Sequence, residues 1–225
     1  MSKNIIVAID EREEITFKNI VDSLDHRKCM VKIGSISFNS IGHDAILYAA
    51  DKGFNIFLDL KLHDIPNTIK KSIKGLSSLP IDMLTIHTSG GKDMILAAME
   101  AVSGTDIKIL GVTVLTSLNN NDTNMIFRRD ASEHVSAMLD LAELTGIHGV
   151  VCSPHEIELV NKRKSLLSIV PGIRLKDLND DQKRTMKPKD AINLGADYLV
   201  IGRPITDSGN IKKALEEIFN EINDS

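Results

Sequence analysis

Several protein classes are excluded by what the sequence lacks. Only two cysteines occur, Cys29 and Cys152, each inside an apolar stretch. That argues against a disulfide scaffold and fits a reducing, cytoplasmic setting. No H-E-x-x-H, C-x-x-C or comparable ligand set is present, so no transition metal is expected. Apolar runs such as Ile5-Ile6-Val7-Ala8-Ile9 span a handful of residues, far short of the ~20 needed to cross a bilayer. Met1-Ser2-Lys3-Asn4 leads straight into that run, so no signal peptide is expected. Basic charge is not in excess: 27 Lys and Arg face 31 Asp and Glu, a formal net charge of −4. General nucleic-acid binding is therefore not expected. No Pro/Gly/Ser-rich linker interrupts the chain, so a single domain over residues 1–225 is expected.

What is present is a globular composition, 42% hydrophobic and 26% charged, which excludes a disordered chain. Short β-branched apolar runs fall at 5–9, 30–33, 56–60, 83–86, 107–114, 150–152, 167–170 and 198–201. Several are apolar throughout, as strands buried on both faces should be. Helical patterns lie between them. Ile211, Ala214, Leu215, Ile218, Phe219 and Ile222 share one helix face. Val135, Met138, Leu139 and Ala142 form a second stripe, closed by Gly146. Ser153-Pro154-His155-Glu156 reads as a capping box that opens a helix after the sixth strand. Eight β/α units of about 28 residues each predict a (β/α)₈ barrel. An open doubly wound sheet is the alternative, weakened because no G-x-G-x-x-G follows Asp10.

Barrel chemistry gathers at the C-terminal ends of the strands. The polar residues there are Asp10, Lys32, Asp59, Lys61 and Asp64, the run from His87 to Gly91, Thr116-Ser117, Arg174, and Gly202-Arg203. Asp59 and Lys61 are two apart, so on a strand they point the same way. Alone, Asp59-Lys61 could be an ordinary strand-end ion pair, and Asp64 an acidic residue suited to a helix start. With Asp10 and Lys32 on neighbouring strands the bland account weakens. An alternating Asp/Lys cluster in a barrel mouth is costly to desolvate and serves no packing purpose. Gly202-Arg203 after the eighth strand suggests a phosphate site, which Arg174 could join; an exposed turn arginine is the plainer reading. The polar stretch from Arg174 to Lys187 is too long for a tight turn and reads equally as a lid or as a solvated loop. His63 and His87 carry no ligand pattern and read as structural.

Asp59-Leu60-Lys61-Leu62-His63-Asp64-Ile65-Pro66-Asn67-Thr68 resembles the D-x-K-x-x-D-I-P-x-T signature of the orotidine 5′-phosphate decarboxylase family. Further segments agree in order. They are Val7 to Asp10, Val31 to Gly34, His87 to Gly91, Thr113 to Ser117, Pro171 to Arg174, Asp181-Gln182 and Ile201 to Pro204. The resemblance therefore spans residues 5 to 205 and looks like the bacterial branch. Ser35-Ile36-Ser37-Phe38-Asn39 departs from the Lys/Glu-rich segment usual in that family.

The resemblance implies a homodimer of (β/α)₈ barrels that converts orotidine 5′-phosphate to UMP and CO₂ without a cofactor, ending de novo pyrimidine nucleotide synthesis. It implies that Lys61 is the proton donor, that Asp59 and Asp64 flank it, and that Lys32 completes an alternating chain. Asp64 and Thr68 would reach into the partner subunit's site, Asp10 and Lys32 would contact the ribose, and Thr116 the pyrimidine. Arg174, Gln182, Gly202 and Arg203 would hold the phosphate. Two rivals stay open. Sugar-phosphate enzymes of the same suprafamily resemble the D-x-K-x-x-D pattern but use Mg²⁺; Ile65-Pro66-Asn67-Thr68 argues against them. A barrel that binds a phosphate ligand without turnover is the other, against which the intact Asp/Lys cluster argues.

Overall fold

A computed structural model describes residues 4–174 and 185–223. Eight parallel strands close into a barrel in chain order. They are β1 (Ile5–Ile9), β2 (Cys29–Gly34), β3 (Ile56–Leu62), β4 (Met83–His87), β5 (Lys108–Val112), β6 (Gly149–Val151), β7 (Leu167–Val170) and β8 (Tyr198–Ile201). β1 pairs with both β2 and β8, so no strand edge is left open. The predicted barrel is thus the observed one. The fifth strand is shorter than its apolar run, and the third is longer, reaching Leu62.

The period of two divides the strand residues between two cores. Ile5, Val7 and Ile9, with Val31, Ile33, Leu58, Leu84 and their equivalents, pack outward against the helices. Ile6, Ala8, Met30, Phe57, Met83, Leu110, Ile169 and Val200 form a separate cluster inside the barrel. Each large aliphatic chain so buried contributes about 1.5–3 kcal/mol. Stepping two residues toward the C-terminal end of each strand from this inner layer gives Asp10, Lys32, Asp59, Thr85, Val112, Pro171 and Gly202. An apolar plug therefore floors a layer that is charged on the β1–β3 side.

The helical stripes hold. Helix Ala131–Thr145 ends at Gly146, whose φ of 67° lies in the left-handed region. Helix Ile211–Asn223 buries Ala214, Leu215 and Ile218. Glu156 accepts the Ser153 N–H at 2.8 Å, as a capping box requires. It opens a 3₁₀ turn, Pro154–Glu156, and only then the short α-helix Ile157–Asn161. Among the described residues, no helix is long and apolar enough to cross a membrane.

Candidate active site

A cleft of about 560 Å³ opens at the C-terminal mouth of the barrel. Its walls include Asp10, Lys32, Asp59, Lys61, Thr116, Arg174, Gly202 and Arg203. Eight of the residues singled out from sequence therefore meet in one cavity, although they come from six strand ends.

The charged wall is a chain of ion pairs. Lys61 Nζ donates to Asp59 Oδ2 at 2.8 Å. Lys32 Nζ lies 3.5 Å from the same oxygen and 3.3 Å from Asp10 Oδ1. Asp59 and Lys32 are buried. Burial is the largest influence on Asp59 and pushes its carboxyl up. The charges of Lys32 and Lys61, with hydrogen bonds from Lys61 and Thr85, outweigh it and hold the carboxyl below its usual value. Asp59 is thus an anion fixed between two ammonium groups.

Lys61 does not reach this place by simple strand alternation. Its φ is 50°, in the left-handed region that a side chain rarely adopts. The β3–β4 register runs Leu58 to Leu84 and then Leu62 to Ile86, so four residue steps on β3 span two on β4. This bulge takes Asp59-Leu60-Lys61 out of the β3–β4 ladder, while Asp59 stays paired with Gly34 of β2. The Lys61 N–H donates to Thr85 Oγ1 at 2.8 Å, and Thr85 Oγ1 lies 2.9 Å from Asp59 Oδ1.

Asp10 is also held from below. Ser37 Oγ donates to the Ile9 carbonyl at 2.9 Å and accepts the Glu11 N–H at 3.0 Å, bonding the main chain on both sides of Asp10. Ser37 is fully buried, in the segment that departs from the family's usual pattern. Sequence reading missed both Ser37 and Thr85. The available signal was a hydroxyl residue within an otherwise apolar strand or beside a strand end.

Arg174 is buried and donates to the Ile173 carbonyl at 2.9 Å. Both ends of the long β7 connection are pinned there: the Arg174 N–H donates to the Met186 carbonyl and the Met186 N–H to the Gly172 carbonyl. Gln182, expected at the phosphate, and most of the expected lid lie outside the described residues. Asp64 and Thr68 are exposed and do not line the cleft. Asp64 Oδ1 accepts the Ile65 N–H at 2.7 Å, just before helix Pro66–Leu76. His87, half-buried at the end of β4, has its ring 5.4 Å from that of His63. Burial, then His63 and Lys61, keep its imidazole below the ordinary histidine value.

A closed parallel (β/α)₈ barrel with carboxylate, ammonium and guanidinium groups around a cleft at its C-terminal mouth has the architecture of a barrel enzyme. The profile of the Orotidine 5′-phosphate decarboxylase / HUMPS family matches residues 3–218. The chain is 44% identical over 222 residues to the orotidine 5′-phosphate decarboxylase of Ehrlichia canis, covering 97% of each. It is 42% identical over 223 residues to that of Wolbachia pipientis, covering 98% of this chain and 99% of that one. The crystal structure of the Lactobacillus acidophilus orotidine 5′-phosphate decarboxylase superposes with a TM-score of 0.86 at 33% identity, covering 99% of this chain and all of that one. The chain belongs to the orotidine 5′-phosphate decarboxylase / HUMPS family.

Proposed function

We propose that this chain decarboxylates orotidine 5′-phosphate to UMP and CO₂, with Lys61 as proton donor and without a cofactor. The observation that carries the proposal is the Lys32–Asp59–Lys61 cluster, with Lys32 and Asp59 buried and Lys61 half-buried, in a cleft that also holds Arg174 and Arg203.

The chemistry follows from the charges. Breaking the bond to the carboxylate leaves its electron pair on an sp² ring carbon with no evident π sink. An ammonium at that carbon stabilises the developing charge and then transfers its proton there. CO₂ leaves, UMP is formed, and the Lys61 amine is reprotonated from solvent. Asp59 orients Lys61 by the 2.8 Å contact. The substrate's carboxylate would also lie near the Asp59 anion, so its loss relieves like-charge crowding. Arg203 and Arg174 would grip the phosphate, with Gly202 and Gln182 completing its binding site. Asp10 and Lys32 would hold the ribose and Thr116 the pyrimidine. Phosphate binding far from the reacting bond can be realised in the transition state.

Asp64 and Thr68 project outside this cleft. In the proposal they complete the site of a second copy in a homodimer. The buried free thiols Cys29 and Cys152 suit a cytoplasmic enzyme. The test is a spectrophotometric assay with orotidine 5′-phosphate in excess EDTA. Conversion to UMP is the expected result. Folded protein that converts nothing, but acts on sugar phosphates once Mg²⁺ is supplied, would overturn the proposal.

A further inference from the structure

Thr85 lies at the centre of β4, fully buried, and does not line the cleft. Its neighbours Leu84 and Ile86 mark the two sides of the β3 bulge. The hydroxyl stands where a ladder bond is missing. A backbone N–H can only donate, so Thr85 Oγ1 must accept from Lys61, and its own proton goes to the Asp59 carboxylate, which can only accept. A closed ring results: Lys61 main chain to Thr85, Thr85 to Asp59, and Asp59 back to the Lys61 side chain.

We infer that Thr85 is the positioning residue of the site: one hydroxyl fixes both the strained main chain that aims Lys61 and the carboxylate that orients it. The inference rests on the decarboxylase reading. A left-handed lysine persists only where its surroundings over-determine it, and the group that accepts its N–H is Thr85 Oγ1. Thr85 also shares in keeping Asp59 ionised against burial. Because Thr85 does not line the cleft, its loss should disturb the aim of Lys61 while leaving substrate contacts in place. A displacement of about 1 Å at a catalytic group can cost about 10²-fold in rate.

The test compares the wild type with Thr85→Val, Thr85→Ser and Thr85→Ala in steady-state turnover of orotidine 5′-phosphate, with folding followed by circular dichroism. Valine keeps the shape and removes the hydroxyl; serine keeps the hydroxyl. We expect kcat to fall tenfold to a hundredfold in Thr85→Val and Thr85→Ala, with KM within about threefold, and Thr85→Ser to stay within about threefold in both. A folded Thr85→Val with wild-type kcat would overturn the inference. Should Thr85→Val not fold, Thr85→Ser against Thr85→Ala isolates the same hydroxyl, and equal kcat in those two would overturn it. A wild type without turnover removes the decarboxylase reading itself and the inference with it, a result distinct from equal variants of an active enzyme.

Discussion

Gly34 lies directly beneath Asp10: a β-carbon on Gly34 would come within 2.9 Å of Asp10 Oδ1 and 3.0 Å of Lys32 Nζ. The backbone of Gly34 is extended, with φ −92° and ψ −177°, so glycine is required by space and not by conformation. Both atoms that would clash are the ends of flexible side chains. Gly34→Ala should therefore leave stability within about 1 kcal/mol of wild type yet lower kcat/KM by about tenfold or more through displacement of Asp10 and Lys32. Thermal unfolding and steady-state kinetics on the same preparation check it; unchanged kcat/KM would contradict the proposed ribose contacts.

Lys61→Ala should abolish turnover with the fold intact. Asp59 would retain Lys32 at 3.5 Å and Thr85 at 2.9 Å, so the buried carboxylate is not orphaned. Loss of the acid role alone predicts a fall of about 10²–10⁴-fold, and loss of the ammonium's electrostatic role adds to it. Calorimetry should show that UMP still binds. Turnover near the wild-type rate would rule out the proton-donor role.

Asp64→Ala and Lys61→Ala should each be inactive alone. If Asp64 serves the partner's site, one of the two cavities in a hybrid dimer carries both residues intact. Mixing the variants and allowing exchange should restore about a quarter of wild-type activity for statistical pairing in a two-site dimer. Exchange verified by mass spectrometry without recovered activity would contradict a shared site.

Acid should destabilise the protein through its histidines. His134 stacks on Phe127 with ring centroids 3.8 Å apart, and both its ring nitrogens are buried without a hydrogen-bond partner among the described residues. Burial, then Arg129, hold its imidazole below the ordinary value, and burial does the same at His87. The folded state therefore favours the neutral form. As pH falls through about 6.5 the unfolded chain takes up protons that the folded chain refuses, and stability drops until the lower folded values are passed. Urea unfolding at pH 7.5 and 5.5 should show that loss, with a smaller one in His134→Phe. Equal losses would remove His134 as a contributor.

The barrel and most of its mouth were legible in the sequence because both rest on strand periodicity. Runs at 5–9, 167–170 and 198–201 match β1, β7 and β8 in full. Asp10, Lys32 and Asp59 follow from stepping two residues beyond an apolar inner layer. Periodicity says nothing of a bulge, so the left-handed Lys61 was not legible, nor was Thr85, whose function depends on that bulge. Ser37 was hidden for a similar reason. Its partners, Ile9 and Glu11, are main-chain groups 28 and 26 residues away, and no side-chain pattern reports them. The short 3₁₀ start at Pro154–Glu156 shows the same limit: a capping box marks where a helix opens, not how tightly its first turn is wound.

The β1–β8 seam joins segments nearly 200 positions apart, Ile5 beside Leu199 and Val7 beside Ile201. The cleft straddles that seam, with Asp10 on one bank and Arg203 on the other. A molecule seated there touches the first strand and the turn after the last at once, and so works as a clasp on the ring. Occupancy is then linked to closure by mass action: whatever fills the cleft raises the work needed to part the two ends of the chain.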